Sequence, residues 1–128
     1  MSENTPTFSP ETAKFETRQI HAGVAPDPAS GARALPIQQT TSFVFPSTDA
    51  AAKRFGLEEI APIYSRIGNP TVEAVENKVA ALEGGVGALA VGSGQAATSL
   101  ALLNIAEAGS HIVASPTLYG GTQNLFKH

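Results

Sequence analysis

Hydrophobic and polar positions follow a helical period most clearly between residues 69 and 85. The apolar stripe there consists of Val72, Val75, Val79 and Leu82. Steps of three and four residues place these side chains on one face of a helix. Asn69 offers a capping oxygen, Pro70 lies where no N–H is required, and Gly84 supplies a stop. The pattern therefore predicts a helix that begins after Asn69 and ends at Gly84.

Short apolar runs alternate with helical segments over the second half of the chain. The runs "VGALAV" and "HIVAS", at residues 86–91 and 111–115, are typical of buried strands. A Gly-Ser-Gly turn follows the first run, and a helix is predicted over residues 96–107 with Gly109 as its stop. Pro116 opens a turn that leads into a last helix in "LYGGTQNLFKH". This order predicts an α/β fold with a mostly parallel sheet covered by helices.

The first third of the chain reads differently. Residues 1–18 lack core-forming patterns and are interpreted as a mobile arm. Residues 19–45 contain three prolines and two glycines and are interpreted as an irregular, extended stretch that lies on another part of the molecule or on a neighbour. Ser47 is expected to cap a short helix that Gly56 ends. We therefore divide the chain into an arm with a short helix, residues 1–60, and the start of an α/β domain, residues 61–128.

Composition and charge exclude several classes of protein. The chain has 128 residues, a formal net charge of −3 and 42% hydrophobic residues, as ordinary globular domains do. This charge argues against nucleic-acid or acidic-membrane partners. No apolar run is long enough for a membrane span, and the N-terminus does not resemble a secretion signal. Without cysteine, and with three scattered histidines, no metal site is expected. A cytoplasmic enzyme or binding protein fits these features best.

The turn at residues 92–95 is a candidate anion site. Gly92, Gly94 and Ala97 match the G-x-G-x-x-A pattern, in which backbone N–H groups and a helix dipole face a phosphate. The second run ends in Ser115-Pro116 without the acid that a dinucleotide fold needs, and no P-loop lysine follows the turn. A single phosphate is therefore the preferred anion, and a tight turn without ligand stays open. Both run ends are expected to open on one rim of the sheet.

Two tyrosines and an arginine are further candidates. The planar fork of Arg66 suits two phosphate oxygens, and Tyr64 shares its face if the segment is extended. A solvated Arg66 at a surface turn is the alternative. Tyr119 could pack in a core, lie on the surface or lie against a planar ligand. Its place at the predicted rim favours the ligand, and Gly120-Gly121 would let a flat molecule come close.

Several phrases occur in order across residues 16–128. They are "ETRQIHAG", "ALPIQQTTSFVF", "YSRIGNPT", "ALEGG", "GSGQAA" and "SPTLYGGT". Together they closely resemble the N-terminal part of the pyridoxal-phosphate-dependent enzymes of cysteine and methionine metabolism. The resemblance implies a fold-type I, aspartate-aminotransferase-like architecture. This chain would supply the N-terminal arm and the first part of the large domain that binds pyridoxal 5′-phosphate (PLP).

The resemblance also implies roles for the candidate residues. Ser93, Gly94 and Gln95 correspond to the cradle of the cofactor phosphate, and Tyr119 corresponds to the ring that stacks on the pyridine. Tyr64 and Arg66 correspond to the pair that reaches the phosphate of the neighbouring subunit's cofactor. We therefore expect a homo-oligomer whose dimers share active sites and pair into a tetramer, with the arm embracing the partner.

The activity implied is γ-replacement on O-acetyl-L-homoserine by sulfide or methanethiol, giving L-homocysteine or L-methionine. Gly121 stands where related methionine γ-lyases carry cysteine, and Gly92 stands where many relatives carry serine. Cystathionine γ-synthase or lyase activity stays open within the family. A non-catalytic module that binds phosphate or a nucleotide stays open outside it.

No catalytic residue is assigned within these 128 residues. In the family the lysine that forms the Schiff base, and the acid that pairs with the ring nitrogen, come later in the sequence. The lysines here match none of the family's lysine contexts; they are Lys14, Lys53, Lys78 and Lys127. The sequence is therefore interpreted as an N-terminal fragment of an enzyme roughly three times as long. By itself the fragment is expected to be inactive.

Overall fold

The computed structural model describes residues 12–127. The chain divides into two compact units, and the division falls between Leu89 and Ala90. The first unit contains helices α1 (Phe15–His21), α2 (Thr48–Phe55) and α3 (Pro70–Glu83). The second contains α4 (Gly94–Leu103) and α5 (Gly120–Leu125). Most of the predicted mobile arm, residues 1–11, lies outside the described residues.

The structure confirms α2 and α3 with the caps that the sequence indicates. Ser47 Oγ accepts a hydrogen bond from the backbone N–H of Ala50 at 3.1 Å, and α2 ends at Gly56. Asn69 Oδ1 accepts from the N–H of Thr71 at 2.9 Å, and Pro70 occupies the first helical position. Gly84 ends α3 in the left-handed region, with φ 70°. Local signals were therefore sufficient to place both helices.

Helix α1 corrects the interpretation of residues 15–18 as part of a mobile arm and of residues 19–21 as part of an irregular, extended stretch. Its stability comes from a distant part of the chain, because α1 packs on α3. Lys78 Nζ donates to the carbonyl oxygens of Gln19 and Ile20, both at 3.0 Å, in the last turn of α1. An ammonium group at a helix C-terminus satisfies carbonyls that have no partner inside the helix. Short-range periodicity could not reveal this support.

Gly23 brings the chain against α3 directly after α1. Its φ is 75°, and a Cβ at this position would overlap the backbone of Asn77 and Lys78. The neighbouring Ala22 is 1% exposed, so the contact between the two segments is close. Glycine is needed here for both its positive φ and its lack of a side chain.

The apolar stripe of α3 lies beside this contact. Three of its members, Val75, Val79 and Leu82, line a cavity of about 440 Å³ together with Ile20 of α1. Within α3 only Ala74 is buried. The stripe therefore has the predicted helical spacing, but within residues 12–127 it is only partly covered.

Hydrogen bonds fold residues 27–32, in the loop that follows α1 and Gly23, into a compact turn. Ser30 donates to Asp27 Oδ2 through both its N–H and its hydroxyl. The side-chain bond, and then the backbone bond, from Ser30 lower the pKa of Asp27 below its usual value. Gly31, with φ 71°, closes the turn by donating to the carbonyl oxygen of Asp27 at 2.7 Å. Such turns are typical of Asp and Gly.

The predicted parallel sheet is absent from the described residues. Residues 86–91 and 111–115 form no strands, and the isolated antiparallel bridge between Ser42 and Tyr64 is the β-pairing that residues 12–127 contain. An apolar run becomes a strand only when a neighbouring strand accepts and donates its backbone hydrogen bonds. The prediction of strands was therefore wrong for this part of the chain.

Helix α4 also differs from its prediction. It begins at Gly94 rather than residue 96 and ends at Leu103, well before Gly109. Ser110 explains the early end, because its Oγ accepts from the N–H of Glu107 at 3.1 Å and its own N–H donates back to the Glu107 carbonyl at 2.9 Å. This local turn competes with helical hydrogen bonds.

Within residues 12–127, no helix combines the length and apolar character required to cross a membrane.

The close approach at Gly23 gives a stability prediction. Gly23→Ala must displace α1 from α3, whereas Gly31→Ala carries a similar positive φ with nothing within 4 Å of the added Cβ. We expect Gly31→Ala to cost about 1 kcal/mol of unfolding free energy. Gly23→Ala should cost about 1–3 kcal/mol more, through overpacking. Urea unfolding followed by circular dichroism measures both, and equal losses would show that the approach to α3 is unimportant.

Candidate functional site

The start of α4 presents two backbone donors without acceptors. Ser93 caps the helix, because its Oγ accepts from the N–H of Ala96 at 3.1 Å. The Ser93 carbonyl accepts from the N–H of Ala97 at 3.0 Å. Among the described residues, no acceptor binds the N–H groups of Gly94 or Gln95. Two free N–H groups and a hydroxyl at the positive end of a helix dipole suit an anion.

Gln95 and Tyr119 meet at Gly121. A Cβ at Gly121 would lie 2.5 Å from Gln95 Nε2 and 2.5 Å from Tyr119 Cε1. Gln95 Oε1 is buried and has no hydrogen-bond partner among residues 12–127, an arrangement that is costly unless a donor reaches it. The second unit therefore brings the two predicted rim turns together around one small residue. The sequence indicated that glycine here permits a flat ligand, but not that it permits this contact.

The base of Tyr119 is held while its ring stays open. Its carbonyl accepts from the N–H groups of Thr122 and Gln123 at 2.9 and 3.0 Å, at the start of α5. Gln123 Nε2 also donates to the carbonyl oxygens of Pro116 and Leu118, both at 2.9 Å. The side chain of Tyr119 is 77% exposed. An aromatic face fixed at its base and open to solvent can stack on a planar ring.

Tyr64 and Arg66, in the first unit, contact each other through a turn. The N–H of Ile67 donates to the Tyr64 carbonyl at 2.9 Å, so Arg66 lies in a tight turn rather than in the extended segment considered above. Its guanidinium carbon nevertheless lies 5.7 Å from the Tyr64 ring centroid, as in a cation–π contact. Within the described residues Arg66 forms no ion pair with a carboxylate. It remains available to an anion.

Asn69 and Ser65 anchor this turn to residues 36–43, which we call the strap. Asn69 Nδ2 donates to the Gln38 carbonyl and to Ser65 Oγ, both at 2.9 Å. The Ser65 hydroxyl donates to the Thr40 carbonyl, and the backbone N–H of Ser65 donates to the Thr41 carbonyl at 2.8 Å. Sequence reasoning identified Asn69 only as a helix cap. The Ser-x-x-x-Asn spacing before Pro70 was the available signal, but its partners in the strap lie about thirty residues away.

Within residues 12–127, no group of three or more His, Asp or Glu side chains is arranged to hold a metal ion. In the second unit, two N–H groups, a hydroxyl and an open aromatic face suit a phosphate monoester that carries a flat ring. In the first unit, and considered by itself, the Arg66 guanidinium suits an anion.

Curated and solved proteins resemble this chain closely. O-acetyl-L-homoserine sulfhydrylase of Corynebacterium glutamicum is 62% identical over 112 residues, which cover 88% of this chain and 26% of that protein. A structure from Campylobacter jejuni, assigned as an O-acetylhomoserine (thiol)-lyase, carries N′-pyridoxyl-lysine-5′-monophosphate. It matches with a TM-score of 0.83 and 39% identity over 91% of this chain and 28% of its own.

A third protein extends the comparison to a different reaction. Cystathionine γ-lyase of Lactobacillus plantarum, solved with L-serine, matches with a TM-score of 0.75 and 36% identity over 89% of this chain and 27% of its own. The chain thus shares the fold of PLP-dependent enzymes of fold type I. It spans about a quarter of the length of the curated relatives it matches. The family model of the Cys/Met metabolism PLP-dependent enzymes matches residues 16–128 of this sequence, and the chain belongs to that family.

Proposed function

We propose that this chain forms part of an enzyme that replaces the acetoxy group of O-acetyl-L-homoserine by sulfide or methanethiol. The Cγ–O bond breaks, a Cγ–S bond forms, and acetate leaves with L-homocysteine or L-methionine as product. The observation that carries this choice is that several curated relatives, 50–62% identical to this chain, are O-acetyl-L-homoserine sulfhydrylases or a homocysteine synthase. The cofactor, when bound, supplies an electron sink for carbanions formed on the substrate.

The residues of this chain would bind and orient that cofactor. The free N–H groups of Gly94 and Gln95, with the Ser93 hydroxyl, would hold its phosphate. Tyr119 would cover one face of the pyridine ring. The donor set supports this reading, because it offers hydrogen bonds to an anion beside an open aromatic face.

Arg66 would complete a second contact to phosphate, across a subunit boundary. Tyr64 orients its guanidinium, which forms no ion pair within residues 12–127. We place this pair at the cofactor of a neighbouring subunit, in a dimer that shares its sites and pairs into a tetramer. The lysine that anchors the cofactor, and the strands that complete a parallel sheet, would come from a part of the enzyme beyond these residues. We place this enzyme in the cytoplasm.

Substrate turnover by the full-length enzyme tests the reaction. We expect O-acetyl-L-homoserine and sulfide to release acetate and homocysteine much faster than cystathionine is cleaved. Coupled detection of acetate and of free thiol measures the two rates. Faster cleavage of cystathionine would contradict the sulfhydrylase assignment and support the lyase, the activity of the Lactobacillus relative.

Arg66→Ala tests the phosphate contact of the first unit. Loss of a hydrogen bond between charged groups should weaken PLP binding to the apoenzyme about 10- to 100-fold. Lys53→Ala is the control, because it removes a cation from an exposed position on α2. Titration of PLP by absorbance measures both variants. Equal affinity of Arg66→Ala and the unmodified enzyme would remove Arg66 from the site.

Substitution of Tyr119 separates stacking from hydrogen bonding. If the ring covers the cofactor, Tyr119→Ala should weaken PLP binding about tenfold, while Tyr119→Phe keeps most of the affinity. Quenching of protein fluorescence by added PLP measures both affinities. Similar losses in the two variants would instead assign the effect to the hydroxyl.

A further inference from the structure

The side-chain amide of Asn69 connects three segments of the first unit. The residue is 9% exposed, and its side chain forms three hydrogen bonds within residues 12–127. Oδ1 accepts from Thr71 at the start of α3, while Nδ2 donates to Gln38 of the strap and to Ser65 of the turn. One buried group thus joins a helix, a strap and a turn. A helix cap alone would need only the oxygen.

Further contacts between strap and turn converge on the same place. Thr71 Oγ1 accepts from the N–H of Gln38 at 2.9 Å, and Asn69 Nδ2 donates to the Gln38 carbonyl. Both backbone groups of Gln38 are therefore bound at the start of α3. Ser65 extends this hydrogen-bond network, since its Oγ accepts from the Asn69 amide and donates to the Thr40 carbonyl. Arg66 follows Ser65 directly, and its backbone direction depends on where Ser65 is held.

We propose that Asn69 is a positioning residue for Arg66. Its amide hydrogens hold the strap and Ser65 in one arrangement, and this arrangement aims the guanidinium at the cofactor phosphate before the cofactor binds. A pre-oriented guanidinium loses less side-chain freedom on binding than a free one. The inference rests on the proposed role of Arg66 and adds the side chain that holds the backbone from which Arg66 projects.

Two substitutions separate this role from helix capping. Asn69→Ser and Asn69→Asp each keep an oxygen that can cap α3, and each removes the amide donor. Asn69→Asp is closest in shape but adds a charge, so Asn69→Ser is the neutral test. Asn77→Ser is the matched control, an identical change at an exposed position of the same helix.

The experiment is a double-mutant cycle on PLP affinity in the full-length apoenzyme, with Asn69→Ser and Arg66→Ala alone and combined. We expect Asn69→Ser to weaken PLP binding about tenfold, with unchanged far-ultraviolet circular dichroism and with Asn77→Ser unaffected. In the Arg66→Ala background the same substitution should have almost no further effect, because the group it positions is gone. A purely structural role would weaken both backgrounds equally and would overturn the proposal.

The remaining outcomes distinguish the two levels of inference. If Arg66→Ala weakens binding and Asn69→Ser does not, the positioning role fails and the site stands. If Arg66→Ala binds PLP normally, the assignment of Arg66 fails, and the positioning role fails with it. Should Asn69→Ser not fold, Ser65→Ala replaces it in the cycle, since it removes the hydroxyl between Asn69 and Thr40. The same additivity criterion then decides.

Discussion

The buried amide of Asn69 is the interaction on which the strap, the start of α3 and the turn that carries Arg66 depend. Its oxygen starts α3, and its nitrogen holds the strap against the Tyr64–Ile67 turn. Removing one of these partners would leave a polar group buried without a hydrogen bond, which costs more than the bond itself contributes. The chain therefore has one preferred path through the turn that carries Arg66. Local order near the candidate site is produced by polar contacts rather than by a large apolar core, because only Ala22 and Ala74 are buried apolar residues in the described part.

A different constraint governs the apolar segments. Many large apolar side chains stay exposed within residues 12–127, and the two runs that read as strands have no strand partners there. A helix satisfies its own backbone, whereas a strand depends on neighbours for every hydrogen bond. This difference explains why α2 and α3 formed where the pattern predicted them and the sheet did not. The apolar character of residues 86–91 is a property of the sequence, but its use as a strand requires other chain segments.

The proposed phosphate-binding turn of the second unit requires little scaffold. Ser93 Oγ satisfies the N–H of Ala96, while within residues 12–127 the N–H groups of Gly94 and Gln95 have no acceptor, so the candidate donors follow from the cap itself. Tyr119 comes from a different turn, and both its ring and the Gln95 amide lie against Gly121, where a side chain would displace them. A cap and a glycine thus bring together groups that are more than twenty residues apart. Because the enzymes of this family use PLP, the ligand proposed for this arrangement is PLP.

The sequence by itself determined the family, helices α2 and α3 with their caps, and the residue types that a phosphate and a flat ring require. Each of these depends on neighbours within a few positions or on motifs that can be read directly. Only the tertiary structure decided that α1 forms, because its last carbonyls are bound by Lys78. It also decided that Arg66 lies in a turn over Tyr64, held through Asn69 by the strap. These features depend on contacts between residues some thirty to sixty positions apart, which no local pattern encodes.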